Sequence, residues 1–302
     1  MVLIFSAASA LSAGQPRWTG LSISWEGYDG SLWDLANGSE GVVLQGTGTE
    51  GLHDPVLTRY SSVSRAVPGK RLRGWRTESR EVFWPLRMSA DSPDAFQDTY
   101  QRFFASFHPV NPGIWRVGYR GVTRQLELTG QYQQPRTMFE DPLLTGSDVF
   151  GIELEAAQPY WSGEPVNRGP WSAPASLDFI NGTAPPFNIS ASTAIGSGTI
   201  PNPGDVDAYP VWTVTGPLSG IELGVGSRVI DVPFTVASGS VLVIDTDPRN
   251  LTATLNGADV TATLGFQRFA SIPTGSEVAL HVEATGTGSV KVALTPLYFR
   301  AF

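Results

Sequence analysis

The chain has 302 residues, more than one hydrophobic core usually organises, and 41% of them are apolar, so two folded domains are expected and disorder is excluded. A net charge of −8 argues against nucleic acid as a partner, because that binding rests on neutralising phosphates with Lys and Arg. The lack of cysteine excludes disulfides, thiolate metal sites and cysteine nucleophiles, and no run approaches the roughly 20 apolar residues that span a bilayer.

The chain opens on MVLIFSAASALSAGQP, a short apolar run followed by small residues, with no basic residue before Arg17. It reads as a first strand or arm rather than a cleaved signal. Strands are expected at LSISW (21–25), GVVLQ (41–45), REVFWPLRM (80–88), GIWRVGYR (113–120), RQLELTGQY (124–132) and DVFGIELEA (148–156), several of which alternate in the period-2 sense. One segment differs. In DSPDAFQDTYQRFFASFHP, Phe96, Tyr100, Phe103, Phe104 and Phe107 form a stripe at helical spacing. Ser92 suits an N-cap, Pro93 the first helical position and Asp94 the positive helix end, so a helix over 92–108 is expected to pack its stripe on a sheet.

The stretch 158–188 is dense in Pro, Gly, Ser and Asn, which places a domain junction near 162–175. The expected division is 1–165 and 166–302. The second half reads as strands at 210–216, 220–225, 228–236, 240–246, 250–255, 259–266, 276–284 and 289–299. Turn signals recur between them, Asn256-Gly257 being a strong hairpin signal. The pattern predicts a mainly β chain: an N-terminal β domain with one helix, then a β-sandwich or jelly roll.

Several motifs invite chemistry. Gly46, Gly48 and Gly51 match G-x-G-x-x-G, but the following LHDPVLTRY has no helical period, so a hairpin or loop is expected rather than a dinucleotide site. His53, His108 and His281 are far apart and show no zinc-motif spacing, which predicts isolated histidines. No G-x-S-x-G elbow occurs. SWEGYDGSLWDL sets Trp25, Tyr28 and Trp33 among Glu26, Asp29 and Asp34. That is either a sugar platform with an acid/base pair, with Glu26 or Asp29 serving a glycosidase, or a tight turn with core aromatics. Asp205 and Asp207 in NPGDVDAYP could join Asn202, Asp245 and Asp247 around a hard cation. They read instead as solvated or turn-capping residues ahead of a strand. N-x-[ST] sequons stand at Asn37, Asn181, Asn188 and Asn250.

The span from Arg59 to Arg87 reverses the chain's charge, with Arg59, Arg65, Lys70, Arg71, Arg73, Arg76 and Arg80 against Glu78 in its first part. It is either a solvated loop or a seam meeting an acidic surface on another subunit. Arg65, Lys70, Arg71, Arg73 and Arg76 are the candidate interface residues.

The order WEGYDGSLWDL, GVVLQG, GLHDP, RAVPGKRLRGWRTESREVFWPLRM and AQPYWSGEP, followed by NPGDVDAYPVWTVTGPLSGIEL and LVIDTDPRNLTATLNGADV, resembles the distal tail proteins among the minor tail proteins of siphophages that infect actinobacteria. The likeness covers roughly residues 18–300. It implies a six-membered ring joining the tail tube to the tip or baseplate. The N-terminal "belt" sandwich, with its helix near 92–108, would close the ring, and a galectin-like second domain would project outward. The expected partners are further copies, the tail tube protein and hub proteins of the tip or baseplate. The chain would be made in the host bacterial cytoplasm and end in the virion. No catalytic residue, cofactor or metal is implied. A rival reading is a carbohydrate-binding adhesion protein whose second domain contacts host surface glycans.

Overall fold

The computed structural model describes residues 18–130, 141–172 and 194–302. The N-terminal arm, the end of the expected junction beyond residue 172 and the sequons at Asn181 and Asn188 therefore lie outside the described residues. The fold is mainly β. It divides into one unit of residues up to Ser162 with Tyr298–Phe302, and a second of Gly163–Leu297.

The first unit contains β1 (Ser22–Glu26), β2 (Leu32–Asp34), β3 (Val42–Leu44), β4 (Leu57–Ser64), β5 (Val67–Thr77), β6 (Arg80–Ser89), α1 (Pro93–Ala105), β7 (Gly113–Tyr119), β8 (Val122–Gly130), the single turn α2 (Pro142–Thr145), β9 (Ser147–Ala156) and β10 (Trp161–Ser162). Its main sheet runs β2-β1-β7-β8-β9-β6-β3. Leu44 N–H donates to the Leu35 carbonyl at 2.9 Å, so the sheet nearly closes on itself. Alternation drives the packing: Val82, Trp84, Leu86 and Met88 of β6 face the core while Glu81, Phe83, Pro85 and Arg87 are more exposed.

That core is aromatic. Trp25, Trp33, Trp84, Trp115 and Trp161 are buried. Helix α1 contributes Phe96 and Phe103, and Phe107 follows just beyond its end. The Ser92 side chain accepts from Ala95 N–H at 3.2 Å, capping the helix as the sequence predicts. Trp25 stacks on Phe107 at 4.9 Å, and Phe103 meets Trp33 edge-on at 5.1 Å. Each such burial contributes about 1.5–3 kcal/mol. The helix is thus the lid of the first core.

The second unit contains β11 (Val166–Ser172), β12 (Ala194–Pro201), β13 (Pro210–Thr215), β14 (Leu218–Val225), β15 (Arg228–Val232), β16 (Val241–Asp245), β17 (Thr252–Leu255), β18 (Ala258–Asp259), β19 (Glu277–Gly286) and β20 (Ser289–Leu294). The sheets β11-β20-β13-β16-β17-β18 and β12-β19-β14-β15 both turn apolar faces into one core around Trp212, Ile221, Leu223 and Ile244. This is the sandwich the turn spacing predicts. Strand β21 (Leu297–Tyr298) pairs with β10, and the chain end returns to the first unit.

One expected strand is replaced. At 259–266 the chain makes a 3-10 turn over Thr261–Leu264. Asp259 accepts from Thr261 N–H at 2.8 Å and from its hydroxyl at 2.6 Å, offering the backbone a local alternative to the ladder.

Candidate functional site

The basic span divides: Arg80 and Arg87 lie in β6 of the main sheet, whereas its first part, Arg59 to Arg76, is neither a loop nor part of that sheet. Strands β4 and β5 pair only with each other, and Arg65 lies in the turn that joins them. Their register sets Arg59 opposite Trp75, Ser61 opposite Leu72, and Val63 opposite Lys70. It sets Thr58 opposite Arg76, Tyr60 opposite Gly74, and Ser62 opposite Arg71. Opposed residues share a face and neighbours alternate, so the ribbon has two different faces. One presents Leu57, Val63, Leu72 and Trp75 with Arg59 and Lys70. The other presents Tyr60 with Arg71, Arg73 and Arg76, and Arg73 Nε donates to Ser62 Oγ at 2.9 Å.

Both faces are open to solvent. Trp75 is 51% exposed, Leu72 58% and Val63 70%. An isolated two-stranded ribbon is marginal in water, and its outer edges carry unpaired backbone groups. Of the five candidate interface cations, Arg71, Arg73 and Arg76 come together, whereas Lys70 lies on the apolar face and Arg65 at the tip. Arg76 pairs with Glu78, Nε to Oε1 being 3.2 Å, and this hydrogen bond draws the Glu78 carboxyl below its ordinary range. The apolar face was not anticipated: Leu72 and Trp75 are three residues apart, and only the register shift between Tyr60 and Ser61 brings them to one face.

The other candidates resolve into structure. Trp25 and Trp33 are core residues, so no sugar platform forms with Tyr28. Glu26 pairs with Arg116 at 2.6 Å. Burial raises the Asp29 carboxyl, but hydrogen bonds from Ser31 outweigh it and hold the group below its ordinary value, the wrong direction for a general acid. Asp34 caps Ala36 and Asn37. Among Gly46, Gly48 and Gly51 no helix opens, and the Gly51 carbonyl accepts from Arg80 and Trp161.

Around the loop 202–207, buried Asn202 donates to the carbonyls of Val206 and Ile272 at 2.9 and 2.8 Å and its side-chain oxygen accepts from Gly204 N–H at 2.9 Å, so the side chain holds the loop together. Asp207 accepts from Thr274 N–H at 3.2 Å and Ser271 Oγ at 3.3 Å. Asp245 caps Asp247 and Asn250. These carboxylates fasten turns. His53 and His108 serve aromatic contacts with Phe302 and Tyr28. His281 differs: its Nε2 lies 3.4 Å from Glu222 and 3.9 Å from Glu283. Sequence spacing missed this group because its members meet across strands.

No protein-family model matches the chain, and no curated protein does. Solved structures share its fold. The SPP1 Dit protein, presented as a paradigm of the hub adsorption apparatus in phages infecting Gram-positive bacteria, is 12% identical with a TM-score of 0.61, over 92% of this chain and 98% of that one. A chain of the phage P2 baseplate in its activated conformation with Ca is 13% identical, with a TM-score of 0.55 over 92% and 97%. The same baseplate with Sr gives 12%, 0.55, 91% and 97%. The structural neighbours are thus phage tail and baseplate hub proteins, and the likeness extends across both units.

Proposed function

We propose that this chain is a structural subunit of a phage tail, set at its distal end, where copies close into a ring that joins the tail tube to the tip or baseplate. The observation that carries the reading is the two-faced ribbon β4–β5. Between Leu57 and Thr77 it holds Arg59, Arg65, Lys70, Arg71, Arg73 and Arg76 and no acidic residue, in a chain of net charge −8. Such a ribbon suits the acidic body of a second copy, with the apolar face buried and the arginine face steering register. A contact between unlike surfaces repeats around a rotation axis until the ring closes. Six copies is the number implied by the distal tail resemblance. The hub proteins among the structural neighbours support tail partners above and below.

On this reading the chain is assembled in the bacterial cytoplasm, ends in the virion and catalyses nothing. The test is negative-stain electron microscopy of the purified full chain, alone and with its tail-tube and hub neighbours. Rings support the proposal; a chain monomeric under both conditions refutes it.

A second role in glycan binding has one local observation in its favour. A shallow cavity of about 580 Å³ is lined by Arg228, Gln267, Arg268 and Phe266, and Phe266 is 89% exposed. A sugar would meet an aromatic face and guanidinium donors there. Glycan-array binding lost in Phe266→Ala would establish it, and a flat array would remove it.

A further inference from the structure

The outer face of β12-β19-β14-β15 carries an unusual arrangement of charge. Glu222 of β14 lies directly opposite Glu283 of β19 on one side and directly opposite Asp231 of β15 on the other. Opposed residues share a face, so three carboxylates stand in one row across three strands. His281, two residues before Glu283, stands on the same face, and Gly224 opposite it contributes no side chain. Like charges directly opposed destabilise a strand pair. Among the described residues, the ion-pair partner of Glu222 and of Glu283 is His281, with no Arg or Lys paired to either. The face therefore holds concentrated negative charge on a rigid scaffold, with one imidazole at its centre.

Distances decide what could offset it. His281 Nε2 is 3.4 Å from Glu222 Oε2 and 3.9 Å from Glu283 Oε1. One ligand atom from each residue lies within 4.8 Å of the others. Ligands bound tetrahedrally at about 2.0–2.1 Å stand roughly 3.3–3.4 Å apart. The first separation already has that value, and binding requires Glu283 to change rotamer so as to close both its 3.9 Å gap to His281 and its separation, within 4.8 Å, from Glu222. An imidazole with two carboxylates suits zinc and its first-row neighbours, whereas calcium and magnesium favour all-oxygen shells. Two carboxylates also match the charge of a dication. His281 is 32% exposed, Glu222 49% and Glu283 40%, which leaves a coordination position open to solvent.

We propose that Glu222, His281 and Glu283 form a surface site for a divalent transition metal of the zinc class, with Asp231 adding negative charge beside it. The site, on β14 and β19, shares no residue with the ribbon β4–β5.

The test is isothermal titration of the chelator-treated full chain with Zn²⁺, repeated with Co²⁺ while visible absorption is recorded. The expected result is one ion per chain and the intense bands of tetrahedral cobalt. His281→Ala and the pair Glu222→Gln with Glu283→Gln should each weaken binding at least about tenfold, the loss that even an outer-shell change can produce. His53→Ala and His108→Ala should leave it unchanged. No uptake of Zn²⁺, uptake that survives both site variants, or equal preference for Ca²⁺ each overturns the proposal. Because the ligands are partly exposed, circular dichroism should show every variant folded, and the glutamate pair provides the test should the histidine variant misfold.

Discussion

Arg80 Nη2 donates to the carbonyl of Phe299 at 2.7 Å, tying the start of β6 to the last turn of the chain. The same guanidinium donates to Pro159 O at 2.6 Å, to Gly51 O at 2.8 Å and to His53 O. It is 3% exposed and has carbonyls rather than a carboxylate as hydrogen-bond partners. Burial pushes its pKa down to about 10, against a smaller opposing effect of the Asp54 charge, so it stays cationic at neutral pH. Hydrogen bonds to a charged group contribute about 1.5–3 kcal/mol each. Arg80→Met, which keeps the stem but removes the donors, should therefore cost at least about 3 kcal/mol of first-unit stability. Urea unfolding checks this, and a shift under about 1 kcal/mol would show that the clamp is dispensable.

The chain end has a second tether, Arg300 to Asp54 at 2.9 Å. Hydrogen bonding from Arg300 holds the Asp54 carboxyl below its ordinary value. A carboxylate with a depressed folded pKa contributes stability above its unfolded pKa and loses it as pH falls through the folded one. Exchange protection at residues 298–302, taken relative to the intrinsic exchange rate at each pH, should therefore fall on acidification below the ordinary carboxylate range. Asp54→Asn should already show that loss of protection at neutral pH. Protection insensitive to both changes would contradict the tether.

Close packing around Trp25 gives a steric prediction. A Cβ at Gly113 would lie 2.3 Å from the Trp25 ring and 2.6 Å from the Glu26 carbonyl. Gly113→Ala must displace the aromatic core and should cost about 1–3 kcal/mol. An unchanged thermal midpoint would mean that the core yields more readily than its contacts imply.

The β17–β18 turn runs through Asn256 at φ 49° and Gly257 at φ 83°. Left-handed backbone at a side-chain-bearing residue costs roughly 1–2 kcal/mol, so Gly257→Val should destabilise the second unit by about that much. Asn256 is held further by its side chain, which accepts from Val241 N–H at 2.8 Å. Chemical denaturation followed at Trp212 would detect the change, and no change would indicate a turn free to rearrange.

Much of this fold was legible because burial imposes periods. The β6 alternation and the α1 stripe are direct images of which side meets the core. Local chemistry also carried: Ser92, Pro93 and Asn256-Gly257 mark a helix start and a turn by geometry that few other residues satisfy. What escaped depends on partners distant in sequence. Strands β11 and β12 flank a stretch rich in Pro, Gly and Ser, and they exist through ladders to β20 and β19. Arg80 read as one more surface cation, since its carbonyl partners come from three separate places in the chain, the loop 51–53, Pro159 and Phe299. The basic stretch was visible as charge, but only the register of β4 against β5 separates its apolar face from its arginine face. The Glu222–His281–Glu283 group is invisible to motif spacing for the same reason.

The central claim is that the ribbon joins one copy to the next. Native mass spectrometry of the full chain, wild type against Val63→Ser/Leu72→Ser/Trp75→Ser and against Arg71→Glu/Arg73→Glu/Arg76→Glu, tests it most directly. The account predicts a closed oligomer for the wild type, monomers for the first variant, and a ring weakened for the second, with both variants still folded by circular dichroism. Oligomers of unchanged size and abundance in both variants would contradict it.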